Sequence, residues 1–139
     1  MSKITYNNEL LKIMTLFEKV TKAKLKDCFI DQNSLLTFVV HQNEIGKAIG
    51  KNAKNVKKLR NLLNRKIKIV EFNPKVETFV RNLIRPLRVK KIEKKDDTIF
   101  IEGPDTRTKG LLIGKNSKNL QNMENIVKKY FSIQKIKVI

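Results

Sequence analysis

With 139 residues and 40% hydrophobic content, the chain is long enough for one ordinary domain, or two very small ones, around a buried core. Its 31 Lys and Arg against 13 Asp and Glu give a net +18, too lopsided for a typical soluble enzyme, and this points to a polyanionic partner, nucleic acid before an anionic membrane surface. One cysteine and one histidine exclude a disulfide scaffold, a zinc site and most nucleophilic catalysis, and no apolar run approaches the roughly 18 residues that span a bilayer, so no enzyme activity, cofactor, small-molecule substrate or membrane is expected.

Met1 to Glu9 lacks the charged start and apolar run of a signal peptide, so a cytoplasmic location is expected. From there Leu10, Ile13, Met14, Phe17 and Val20 recur at helical spacing behind Asn7 and Asn8 as candidate N-caps. Leu25 to Ile30 and Leu35 to Val40 read as a hairpin closed by the turn-favouring Asp31-Gln-Asn-Ser34. Asn43 is a candidate cap for a short helix through Ile49, which Gly50 breaks. Val56, Leu59, Leu62 and Leu63 then give a second helix its buried stripe, and Ile67 to Val70 is a closing strand.

The second half repeats this order. Asn73-Pro74 reads as an N-cap with proline in the first turn, ahead of Val76, Phe79, Val80, Leu83 and Ile84, and Pro86 stops the helix. Strands are predicted at Leu87 to Ile92 and Thr98 to Ile101 across a turn at Lys94-Lys-Asp-Asp97, before Gly103-Pro104 turns the chain. A helix from Thr106 to Ile113, a break at Gly114, a helix through Leu120, Met123, Ile126 and Val127, and a strand from Ile133 to Ile139 complete it. The chain therefore reads as α+β, with domains at 1–72 and 73–139, each helix, strand, strand, helix, helix, strand. Charge follows the duplication: 15 basic and 6 acidic residues precede Asn73, 16 and 7 follow, and each half carries +9.

An internal repeat anchors the duplication. Gly46-Lys-Ala-Ile-Gly50-Lys-Asn-Ala-Lys-Asn-Val56 recurs 64 residues later as Gly110-Leu-Leu-Ile-Gly114-Lys-Asn-Ser-Lys-Asn-Leu120. In each copy a glycine that lets backbone approach a phosphate stands before a helix whose N-terminus offers a partial positive charge, and a lysine adds a full one. Phosphate is the fitting ligand for Gly50, Lys51, Asn52, Ala53 and Lys54, and for Gly114, Lys115, Asn116, Ser117 and Lys118. Nine basic residues and no acid lie between Glu44 and Glu71, against four and none between Asp105 and Glu124, so the first copy is expected to hold a backbone more strongly.

These segments resemble the K-homology (KH) signature, in which a Gly-x-x-Gly loop between two helices clamps the backbone of about four nucleotides beside an apolar groove for the bases. Both copies depart from it at the second glycine, replaced by Ala53 and Ser117, of which Ser117 alone is expected to cap the following helix through its side chain. The order of elements is similar to the type II form, a three-stranded sheet packed by helices. Taken whole, the chain resembles the archaeal NusA-like transcription factors, which consist of two tandem type II KH domains. That resemblance implies a single-stranded RNA-binding protein that acts on nascent transcript and modulates transcription elongation or termination, with RNA polymerase as a further partner. A KH-type factor of ribosome assembly or rRNA processing is the alternative.

Ile45, Ile49, Val56, Leu112, Ile113 and Leu120 fit either the base groove or the core. Lys57, Lys58 and Arg60 fit either a solvated helix face or an extension of the phosphate track. His41 reads as a surface or satisfied polar residue, Cys28 as core, and the aromatic residues as mostly core.

Overall fold

Asn7 closes the first helix of the computed structural model, which describes residues 6–139: its side chain accepts a 2.8 Å hydrogen bond from the Leu10 amide at the start of α1 (Asn8–Thr21). Two strands follow, β1 (Leu25–Ile30) and β2 (Leu36–Val40), antiparallel to one another. The Asp31 carboxylate shapes their turn by accepting the Asn33 and Leu35 amides at 2.8 and 2.9 Å. Helices α2 (Ile45–Ile49) and α3 (Lys54–Leu63) then lead to β3 (Ile67–Glu71), which pairs parallel to β2. β2 is therefore the central strand, and all five of its residues are buried.

Residues 74–139 repeat this order with α4 (Val76–Ile84), β4 (Lys91–Lys95), β5 (Thr98–Glu102), α5 (Thr106–Ile113), α6 (Lys118–Val127) and β6 (Lys135–Val138). Again the first pair of strands is antiparallel, the last strand is parallel, and the second strand of the unit is central. The chain divides into two compact units between Asn73 and Pro74. Each has its own core. In the first, Phe17 of α1 stacks on Phe38 of β2 with centroids 4.3 Å apart, over Leu10, Cys28, Leu36 and Leu59. In the second, Phe79 of α4, Ile99, Ile101, Leu112, Ile126 and Ile136 are buried, and Tyr130 is edge-on to Phe79 at 5.5 Å.

Several boundaries differ from the sequence reading, each for a local reason. Asn43 does not cap α2: its φ is 68°, Glu44 holds the cap position, and no side chain closes that end. Lys75, not Asn73, holds the cap of α4, which begins at Val76, the first of its buried residues. Residues 87–90 are not strand. β5 offers no partner past Glu102, where Gly103 and Pro104 turn away, so β4 runs Lys91–Lys95 and the hairpin closes tightly through Asp96 (φ 54°) and Asp97. β6 is likewise shorter than expected, limited to the length of β5. Leu62, assigned from its spacing to the buried stripe of α3, is 55% exposed; Leu59 alone of that helix is fully buried.

Cys28 is in the core, and burial pushes its thiol up to about 12, which leaves it protonated and inert near neutrality. Phe72, Phe100 and Phe131 are only half-buried, with Lys26 over the Phe72 ring at 4.6 Å and Lys137 over Phe100 at 6.0 Å. Among the described residues no helix is long and apolar enough to cross a membrane.

Candidate nucleic-acid interface

The break that each loop glycine makes between its helices is a defined shape. Gly50 has φ 77° and ψ 168°, and Gly114 has φ 74° and ψ 171°, a region that side chains bearing a Cβ essentially do not enter. Each glycine starts a single 3-10 turn, Lys51–Ala53 or Lys115–Ser117, in which Asn52 (φ 54°, ψ 32°) and Asn116 (φ 55°, ψ 33°) are left-handed. The next residue is left-handed too, Ala53 at φ 59° and ψ 28° and Ser117 at φ 60° and ψ 22°. Two sequences that differ at Ala53 and Ser117 thus build one loop, with the Ala53 amide bonded to the Gly50 carbonyl and the Ser117 amide to that of Gly114, both at 3.2 Å.

The replacement of the second glycine is tolerated rather than disruptive, and its cost is local strain. Ser117 occupies the cap position of α6, but its hydroxyl makes no capping bond, contrary to the expectation from its residue type. Both residues sit where glycine is unstrained and an L side chain is penalised by about 1 kcal/mol. Ala53→Gly and Ser117→Gly are each expected to raise stability by about 0.5 kcal/mol, the part of this relief left after the added freedom of the unfolded chain. Denaturant unfolding of the two variants checks this, and destabilisation by either would contradict the strained geometry.

One pair of residues that the sequence reading did not single out holds the loop together. The Asn55 side-chain amide donates to the Lys47 carbonyl at 3.0 Å, and Asn119 donates to Leu111 at 2.9 Å, tying the second helix of each pair back onto the first across the loop. The signal was available: both asparagines stand five residues after the loop glycine in the repeat. They also explain the glycine independently of its dihedrals, because a Cβ on Gly50 would lie 2.9 Å from the Asn55 amide nitrogen and one on Gly114 would lie 2.7 Å from that of Asn119.

Around this frame the cations are outward. Lys51, Asn52, Lys54, Lys115, Asn116 and Lys118 are exposed, and the four lysines make no ion pair among the described residues. The positive ends of α3 and α6, each ten residues long, point at the loops. Lys57, Lys58 and Arg60 continue the exposed face of α3, and Lys47 on α2 is 3.9 Å from Glu44. Two of the nine cations around the first loop are engaged elsewhere. Arg65 donates to the Ser34 carbonyl at 3.2 Å, and burial holds the half-buried Lys68 ammonium below the ordinary lysine range despite the opposing pull of Asp31.

Of the candidate groove residues, Ile49 is 36% exposed, Ile45, Val56, Ile113 and Leu120 are half-buried, and Leu112 is in the core. Its neighbour Leu111, not named from the sequence, is 48% exposed. His41 is at the surface. Among the described residues no group of three or more His, Cys, Asp or Glu could hold a metal ion.

A family profile described as KH domain matches residues 13–88, more than half of the chain. The chain belongs to the KH domain family. It is also similar over nearly its whole length to archaeal proteins named probable transcription termination protein NusA. The Methanocaldococcus jannaschii protein is 30% identical over all of this chain and 77% of its own length, and the Thermoplasma acidophilum protein 28% identical over 99% and 97%. The crystal structure of APE1850 superposes with a TM-score of 0.73 at 27% identity, covering 96% of this KH protein and 100% of that chain.

Proposed function

We propose that the chain is a pair of tandem type II KH domains, 1–72 and 73–139, that holds single-stranded RNA and modulates transcription elongation or termination, its relatives being named for termination. The observation that carries this reading is the duplicated loop: the same backbone shape, the same lysines and the same asparagine tie recur in both units, on a protein of net +18. A folding requirement accounts for the glycine and the tie but not for two outward lysines per loop without acidic partners. In this reading Gly50, Lys51, Asn52, Ala53 and Lys54, and Gly114, Lys115, Asn116, Ser117 and Lys118, take backbone phosphates. Ile49, Val56, Ile113 and Leu120, with the exposed Leu111, face unstacked bases. The role is binding rather than catalysis, carried out in the cytoplasm on nascent transcript beside RNA polymerase.

Gly46 and Gly110 support a ligand against the first helix of each pair. A Cβ on either would meet nothing within 4 Å, and neither has a left-handed backbone, so the fold itself has no need of glycine there. Gly110→Ala is expected to stabilise α5 by about 0.5–1 kcal/mol while weakening RNA binding, because the methyl group covers backbone that the strand would approach. Melting and RNA titration of the same variant check the two opposite signs; unchanged affinity would remove this contact.

The function is tested by transcription with purified archaeal RNA polymerase on a template carrying a terminator. Added protein is expected to change the fraction of terminated transcripts, and the protein with both loops charge-reversed is expected not to. RNA binding without any effect on termination would overturn the transcriptional role and leave the RNA-binding one.

A further inference from the structure

We propose a second phosphate site, outside the loop residues, formed by Arg81, Arg85 and Arg88; it rests on the RNA-binding reading above and takes a phosphodiester of the same kind of strand. α4 turns Val76, Phe79, Val80, Leu83 and Ile84 into the core and leaves Arg81 exposed in its last turn, and Arg85 follows as the residue that ends the helix, its backbone extended (ψ 142°). The chain then turns at Pro86, and Arg88 joins them around an open depression of about 560 Å³ whose remaining walls are Pro86, Leu87 and Val89. All three arginines are exposed, none makes an ion pair among the described residues, and no carboxylate lines the depression. Three unpaired guanidiniums over an apolar floor suit a nucleotide unit: phosphate on the forks, sugar or base on Pro86 and Leu87.

The choice of arginine is the second, independent observation. The chain has 25 Lys and only 6 Arg, yet the three cations between Arg81 and Arg88 are all arginine. Charge at the carboxyl end of α4 would be served equally well by lysine, as it is by Lys19 in the last turn of α1 and by the cap residue Lys128 of α6, whereas the single arginine at another helix end is Arg60 on the basic face of α3. What lysine does not offer is a planar fork that binds one phosphate through two parallel hydrogen bonds. β4 next to this segment is itself lysine-rich, so a general need for positive surface does not select arginine here.

The test uses the full chain and two triple variants, one with Arg81, Arg85 and Arg88 changed to Gln and one with all three changed to Lys, titrated with single-stranded oligouridylate. A short RNA of about four nucleotides, the span of one loop, is expected to bind the Gln variant as it binds the unchanged protein. An RNA of about twelve nucleotides is expected to bind the Gln variant about tenfold more weakly, with the slope of log affinity against log salt smaller by about 0.7 for each phosphate that is no longer neutralised. The Lys variant is expected to stay several-fold weaker than the unchanged protein. Equal affinity of the Gln variant for the longer RNA overturns the site. A Lys variant that matches the unchanged protein also overturns it, because diffuse charge then suffices. If the Gln variant keeps its RNA affinity but loses binding to polyglutamate, the arginines serve an acidic protein and the RNA site is wrong. Failure of the unchanged protein to bind either RNA overturns the RNA reading itself, and this site with it.

Discussion

Replacing Lys51 and Asn52 together by aspartate is expected to weaken RNA binding by about 30-fold, roughly 2 kcal/mol, without loss of stability. Each double change at a loop removes one cation and adds two anions beside the phosphate position, so repulsion replaces attraction. The backbone should accept the change, because aspartate, like asparagine, tolerates the left-handed conformation that position 52 requires (φ 54°). New negative charge at the start of α3 is favourable to that helix by about 0.3–1 kcal/mol, so folding and binding are expected to move in opposite directions. The same change at Lys115 and Asn116 is expected to cost less. Ala53 does not distort the first loop, which matches the second in shape, and the first loop is followed by Lys57, Lys58 and Arg60 on the exposed face of α3. Equal losses, or a larger one at the second loop, would contradict that ranking; no loss at either would contradict phosphate binding by the loops.

Gly114→Ala is expected to destabilise the protein by about 2–4 kcal/mol, and Gly50→Ala by a similar amount. Two costs add. The backbone of both glycines lies in a region nearly closed to other residues, worth about 1–3 kcal/mol. The new methyl group would also meet an asparagine side chain that is held by its hydrogen bond to the first helix, at 2.7 Å for Gly114 and 2.9 Å for Gly50. The two costs are separable. Pairing Gly114→Ala with Asn119→Ala removes the two 2.7 Å contacts, leaving a 3.0 Å approach to the Cβ of residue 119, and keeps the dihedral strain, so the double variant should be less destabilised than the sum of the single ones. Denaturant unfolding checks it, and strict additivity would show that the asparagine yields without cost.

The order of elements was legible because Leu10 to Val20 and Val76 to Ile84 carry clear helical periodicity, Thr106 to Ile113 runs into the repeated segment, and β1 has apolar ends that mark Leu25–Ile30. β4 was misplaced because Leu87 and Val89 imitate a strand, whereas the residues that do pair, Lys91 to Lys95, are mostly charged and exposed and include one buried apolar residue, Ile92. Periodicity is silent on a strand like that; only the length of its partner fixes it. The caps at Asn43 and Asn73 failed for a related reason, since residue type states what can cap and the tertiary path decides what does.

At the candidate interface the glycine, the lysines and their doubling were legible because they stand in one repeated segment. The asparagine tie and the bare helix at Gly46 and Gly110 were present in the same repeat but had no meaning until the two helices were placed side by side. Ser117 shows the converse: a good capping residue that a left-handed backbone turns away from the amides it would cap.

Binding of the RNA backbone by the two loops is checked by following the amide resonances of the isotope-labelled protein as a single-stranded oligoribonucleotide is added. The largest shifts are expected at Gly50 to Lys54 and Gly114 to Lys118, with much smaller ones when duplex RNA of equal length is used. Shifts confined to other surfaces while these ten residues stay unmoved, or equal shifts with duplex, would contradict it.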